Sequence, residues 1–187
     1  MSEVMTGRVP GGARLESRPA TSDYATFYAA YVDAAPDGDI VATLEREGRA
    51  TSQLLRGIPE SGASYRYAPG KWSIRQLVGH LVDAERIFAV RALRFSRNDP
   101  TALPGFDQDD YMAGASFDDL PLAELTAELD AVRHSTVLQL RHLTAEAWER
   151  RGIASGAEVS VRALAWIIAG HELHHRNILR TLYLKTA

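Results

Sequence analysis

The sequence predicts an all-α protein: a four-helix bundle with a long crossover loop between its second and third helices. Four long segments repeat apolar residues at intervals of three and four. No comparable run alternates with a period of two. The chain has 187 residues, enough for one domain with a sizeable core and short for two.

Residues 1–22 carry Gly7, Pro10, Gly11, Gly12 and Pro19 without periodicity. They are expected to form a flexible N-terminal arm, with 23–187 as a single domain. In 23–38, Tyr24, Phe27, Tyr28 and Tyr31 precede Ala-Pro-Asp-Gly, the pattern of an ordered lead-in that packs on the core and stops at a turn. The first long helix is predicted over about 39–58, with Ile40, Val41, Leu44, Thr51, Leu54, Leu55 and Ile58 on one side. The second opens at Ser73, with Gln76 completing a capping box. Its stripe is Leu77, Leu81, Ala84, Phe88, Ala92 and Phe95, and it ends near Asn98, before Pro100. The third starts near Pro121 and carries Leu122, Leu125, Leu129, Val132, Thr136, Leu140 and Leu143. The fourth follows Ser160, with Leu164, Ile168, His171, His175, Ile178 and Leu182 in a regular seam. The loop over about 99–120 is long for a bundle. It contains Leu103, Phe106, Tyr111, Met112 and Phe117, so it is expected to pack over one end of the bundle. Tyr65 to Tyr67 and 153–159 are too short for more than a turn or a small hairpin.

Composition narrows the function. Lys and Arg number 21 against 24 Asp and Glu, for a net charge of −3. That balance removes the main reason to expect a nucleic-acid partner, since phosphate neutralisation needs clustered positive charge. The chain has no cysteine. Disulfides, thiolate zinc sites and cysteine nucleophiles are excluded, and a metal must be held by His, Asp or Glu. The first residues lack the apolar core of a signal peptide, and no apolar run approaches the ~20 residues of a membrane span. The expectation is a cytoplasmic protein with no membrane partner.

Of six histidines, His134 and His142 lie off the third helix's apolar stripe and read as exposed. His171 and His175 are four apart, which stacks two imidazoles one turn apart on one helix face. Both occupy seam positions where Leu or Ile would be expected. His80 lies among Leu77, Leu81 and Ala84, on the buried side of the second helix. Three imidazoles entering one core from two helices form a facial three-nitrogen site for a divalent ion, with positions left open for water or substrate. Each ring's second nitrogen then needs an acceptor, for which Asp83, Glu85 and Glu172 are the nearby candidates. His174, three residues after His171, also permits an alternative pairing, but the apolar register favours His175 and leaves His174 at the rim. His171-Glu172-Leu173-His174 lacks the spacing of a zinc-protease motif. The first helix thins at Glu47, Gly48, Ala50, Thr51 and Ser52. That thinning suits either close helix approach or a polar cavity reached by Glu47 or Thr51. Glu47, Asp83 and Glu172 are the candidate proton acceptors.

The stretch from Tyr67 through Lys71-Trp72-Ser73 and Gly79-His80 to Phe88 resembles the second helix of the DinB-like (DinB/YfiT) superfamily. Arg91-Ala-Leu-Arg-Phe, the loop Leu103-Pro-Gly-Phe-Asp-Gln-Asp and Gly170-His171-Glu-Leu-His-His175 resemble other signatures of that family, over about 24–184. The resemblance implies a four-helix bundle with a long crossover and a three-His metal centre at His80, His171 and His175. It implies a divalent cofactor such as Zn, Ni or Fe, a small-molecule substrate and a homodimer. Relatives include low-molecular-weight-thiol S-transferases and thiol-dependent isomerases, so it also implies a metal-dependent transferase or hydrolase, with a thiol as cosubstrate in the first case. The family's name does not make it a polymerase. The competing expectation is a metal-binding protein without catalysis that acts in a stress response through a partner.

Overall fold

A computed structural model describes residues 17–185; most of the expected arm lies outside them. The described end of that stretch is fastened down. Arg18 donates to the carbonyls of Val32 (2.6 Å) and Ala35 (2.7 Å) and pairs with Asp37. The lead-in is a short helix, α1 (Ala29–Ala34), preceded by two 3-10 turns, with Tyr24, Tyr28 and Val32 buried.

The four long rods are α2 (Ile40–Arg56), α3 (Ile74–Ser96), α5 (Leu122–Arg141) and α7 (Val161–Ile178). Local chemistry sets their starts. The Asp39 carboxylate accepts from the amides of Val41 and Ala42. Ser73 and Gln76 form the expected capping box. Ser160 accepts from Ala163. Pro121 stands just before α5 and offers no side-chain cap; the distant Glu60 carboxylate accepts from the Leu122 amide instead (3.0 Å).

The crossover between α3 and α5 contains a short helix, α4 (Gln108–Gly114), and a 3-10 turn at Phe117–Asp119. It packs onto the bundle along its length and not over one end as expected: Leu103 and Phe106 lie against the core that holds Phe88 and Leu164, and Phe117 against the one that holds Leu77 and Leu125, its ring 2.4 Å from where a Cβ on Gly79 of α3 would be. The small hairpin also forms, as β1 (Arg151–Ala154) and β2 (Ala157–Ser160), after the short helix α6 (Ala145–Glu149).

In space α2 neighbours α5 and α7, and α3 neighbours the same two. The consecutive rods α2 and α3 therefore sit across the diagonal. Apolar burial falls in two clusters. One holds Leu44, Phe88, Val137 and Leu164, and the other Leu55, Leu77, Leu125 and Leu179. Chain order through the clusters gives direction: α2 and α7 run from the first to the second, α3 and α5 the opposite way. Since α3 and α5 are neighbours running the same way, the chain must travel back the full length of the bundle between them. That return explains the long crossover.

Two seams differ from the sequence reading. On α5 the buried side carries Arg133, while Val132 is only half-buried. On α7 the regular seam stops at Ile178, where a π turn (Leu179–Leu184) widens the winding. Leu179 and Tyr183 are buried there, and Leu182, expected in the seam, is exposed. From Ala163 to Gly170, α7 is buried on every side, because α1 covers its outer face.

Gly170 permits that cover. A Cβ there would stand 1.7 Å from the Tyr31 carbonyl oxygen, a backbone atom that cannot swing aside. Gly170→Ala is expected to cost at least ~1–3 kcal/mol and to lower the melting temperature. Gly114→Ala, where a Cβ meets nothing within 4 Å, leaves it within about a degree. Equal melting of the two variants would contradict close packing of α1 on α7.

Candidate metal centre

The interface of α3 and α7 brings His80, His171 and His175 together. One ring nitrogen from each lies within 4.8 Å of the other two, and all three residues are buried. The Nε2 atoms of His80 and His171 are 3.0 Å apart. Two nitrogens each about 2.1 Å from one cation stand about 3.0–3.4 Å apart, so this separation suits a shared ion. The donor set is three neutral imidazoles with no carboxylate, which suits zinc, nickel or iron(II). Aromatic rings wall the cluster: Trp72 against His80, and Tyr31 and Phe88 edge-on to His171.

The cluster opens on one side. A pocket of about 320 Å³ reaches His175 and is lined by Tyr67, Lys71, Trp72, Gln108, Asp109 and Tyr183, among others. The Tyr183 hydroxyl donates to the Trp72 carbonyl (2.7 Å). That bond ties the π turn of α7 to the loop before α3.

Behind the histidines lies a second polar group. Arg133 is buried and forks onto Glu85, with Nε to Oε1 at 2.8 Å and Nη2 to Oε2 at 2.7 Å. Its Nη1 donates to Glu172 Oε2 (2.5 Å) and to the Leu44 carbonyl (2.9 Å). Burial works against the guanidinium's charge, but the two carboxylates hold it firmly protonated.

The thin stretch of α2 receives two arginines. Gly48 makes room for Arg133, whose Cγ would lie 3.0 Å from a Cβ there. Arg176 of α7 donates to the Glu47 carboxylate (2.5 Å) and to Thr51 (3.3 Å). Burial pushes the Glu47 carboxyl up, but hydrogen bonds from Arg176 and Arg46 outweigh it and hold the group ionised. Glu47 and Thr51 are thus engaged with Arg176, not with the histidines. Asp83 has Arg86 and Glu128 as its charged neighbours, and burial raises its pKa. Glu85 and Glu172 meet at Arg133. His174 is exposed at the rim, and His134 and His142 are exposed on α5 and just after it.

Sequence reasoning missed Arg133, Arg176 and the pocket walls. Arg133 could have been found: it stands four residues from both Leu129 and Val137, a charge on an apolar register. The walls come from a loop, a short helix and a π turn, which leave no periodic trace.

Burial pushes His80 down to about 4 and His175 down to about 3. His171 falls well below its ordinary value, through burial and then the neighbouring imidazoles. The three are neutral in the fold and take up protons when it opens. Their contribution to stability is complete above pH ~6.5 and is lost as pH falls toward 4. For chelator-treated protein, His80 alone is expected to cost on the order of 3 kcal/mol across that window. Denaturant melts at pH 7 and pH 4.5 read the change, and His80→Gln should reduce it. A wild-type slope no steeper than the variant's would contradict the buried neutral state.

The family model described as the DinB superfamily matches residues 43–179. A protein of Oceanobacillus iheyensis, whose name places it by inference among metal-dependent hydrolases, is 26% identical over 125 residues, covering 66% of this chain and 71% of its own. Among solved structures, YfiT from Bacillus subtilis, described by inference as a metal-dependent hydrolase of unusual four-helix-bundle topology, superposes with a TM-score of 0.70 at 17% identity, covering 92% of this chain and 95% of that one. A DinB-like protein of Bacillus subtilis, YjoA, gives a TM-score of 0.57 at 23% identity over 78% and 90% of the two chains. The mycothiol-dependent maleylpyruvate isomerase gives 0.61 at 12% identity, over 73% of this chain and 58% of that one. The match of the family model across most of the chain, including all three clustered histidines, makes this protein a member of the DinB superfamily.

Proposed function

We propose that this protein is a divalent-metal-dependent hydrolase of small polar molecules, with His80, His171 and His175 as metal ligands. The observation that carries this is the cluster itself: three buried imidazoles with ring nitrogens within 4.8 Å of one another, one of which, His175, lines a polar pocket. The names of the Oceanobacillus and YfiT proteins support the same reaction class. A divalent cation held there supplies Lewis acidity, enough to bring the ionisation of a water or thiol near neutral pH.

The chain's own residues do the rest. The aromatic walls keep bulk water from the back of the cluster. Tyr67, Lys71 and Gln108 present polar groups to a substrate entering over His175. Of the carboxylates expected as proton acceptors, Glu47 is bound by arginine, and Glu172 gives one oxygen to Arg133 behind the cluster. Asp109 lines the pocket and is the better-placed acceptor.

A second reading, transfer to or from a low-molecular-weight thiol, draws support from the mycothiol-dependent isomerase that shares the fold. With no cysteine in the chain, the sulfur would come from the cosubstrate. A homodimer belongs to the same proposal. Among the described residues no helix is long and apolar enough to cross a membrane.

Protein purified without chelator is expected to carry about one divalent ion per chain. His80→Ala, His171→Ala and His175→Ala should each abolish stoichiometric uptake, and His134→Ala should not. Loaded protein screened against small esters, amides and phosphoesters, with and without added thiols, separates hydrolysis from thiol transfer. Equal uptake by all four variants would contradict the ligand set. Stoichiometric metal with no turnover in either screen would favour the non-catalytic metal-binding alternative.

A further inference from the structure

The two carboxylates on Arg133 are not equivalent. Both oxygens of Glu85 are taken by the guanidinium fork. Glu172 gives Oε2 to Arg133, while its Oε1 is buried without a hydrogen-bond partner among the described residues. A buried carboxylate oxygen left unpaired is costly, so a native core that retains one invites an explanation.

The surroundings supply one. A small enclosed cavity of about 10 Å³ is lined by Glu172, Glu85, Arg133 and His171, with Leu81, Phe88, Leu129 and Ile168 closing it. That is about the room one water needs, provided it finds two or more polar partners. His171 turns Nε2 toward His80, so its other nitrogen, Nδ1, is the one left for a second contact.

Charge points the same way. Glu85 and Glu172 against Arg133 leave the buried triad one negative charge in excess. The three imidazoles bring none, and their ion would bring two positive charges into the core.

We propose that Glu172 is a positioning residue for the metal centre. One water in this cavity accepts a hydrogen bond from His171 Nδ1–H and donates one to Glu172 Oε1. The water fixes the His171 tautomer with Nε2 toward the ion, and the carboxylate supplies the buried negative charge that offsets the cation. This rests on the metal-binding reading above. It assigns Glu85 a different task, that of holding Arg133 in place. It also gives Gly48 a role, since the small residue lets Arg133 reach both acids.

The test is zinc affinity by chelator competition, alongside thermal melts of the metal-free proteins. Glu172→Gln keeps the shape and the bond to Arg133 but removes the charge, and it should weaken zinc binding about 10–100-fold. Glu85→Gln removes the same formal charge but leaves the acceptor Glu172 Oε1 in place, so it should lower the melting temperature and weaken zinc binding by no more than about threefold, clearly less than Glu172→Gln. Unchanged affinity in Glu172→Gln, or equal losses in both variants, would overturn the assignment and leave the three-His site standing. If the wild-type chain binds no zinc, the metal reading fails and this inference with it.

A second measurement needs no variant. In zinc-loaded wild-type protein, nitrogen-15 NMR should show a slowly exchanging proton on His171 Nδ1. A proton on Nε2, or an Nδ1 proton in fast exchange with solvent, would overturn the proposal even if Glu172→Gln did not fold.

Discussion

The structure depends on one polar layer that crosses the bundle between two apolar clusters. Each long helix contributes at the same level: Glu47, Gly48 and Thr51 from α2, His80 and Glu85 from α3, Arg133 from α5, and His171, Glu172, His175 and Arg176 from α7. Such a layer is destabilising unless its groups satisfy one another. Two arginines do most of that work, each reaching across from one helix to carboxylates or carbonyls on others. The histidines are the exception. Among the described residues their polar partners are chiefly one another, and burial keeps them neutral. Three neutral imidazoles gathered in the core have more lone pairs than they can satisfy among themselves, and a divalent cation is a partner that all three can share.

The same layer explains features of the fold that would otherwise look incidental. Parallel α3 and α5 require a crossover, and the crossover's first helical turn, with Gln108 and Asp109, becomes a wall of the pocket over His175. The π turn after Ile178 rotates Tyr183 to the inside, where it holds the loop carrying Trp72. The connections thus supply most of the pocket wall, while the rods α3 and α7 hold the three histidines in place.

Much of this was legible in the sequence, for a physical reason. The helical period of burial shows directly as apolar spacing, so the four rods and the inward placement of His80, His171 and His175 followed from register. A charged side chain reads as surface by its residue type even where spacing puts it on a buried face, and that is why a pattern of apolar residues does not reveal Arg133 and Arg176. A 3.6-residue period continued past Ile178 puts Leu182 inside, but the π turn there does not keep that period and leaves it exposed. The thin middle of α2 left two readings open. The structure shows small residues making room for arginine side chains, which is close approach of a kind, though by a charged partner. Nothing in the periodicity of 99–120 showed which part would fold back on Gly79 or line the pocket.

The most direct test is a crystal structure of protein purified without chelator, with anomalous data collected at the absorption edge of the metal it carries. One anomalous peak is expected between α3 and α7, about 2.0–2.2 Å from a ring nitrogen of each of His80, His171 and His175. A well-ordered structure with no peak at that point, or with a peak held by other residues, would contradict the shared site on which the account rests.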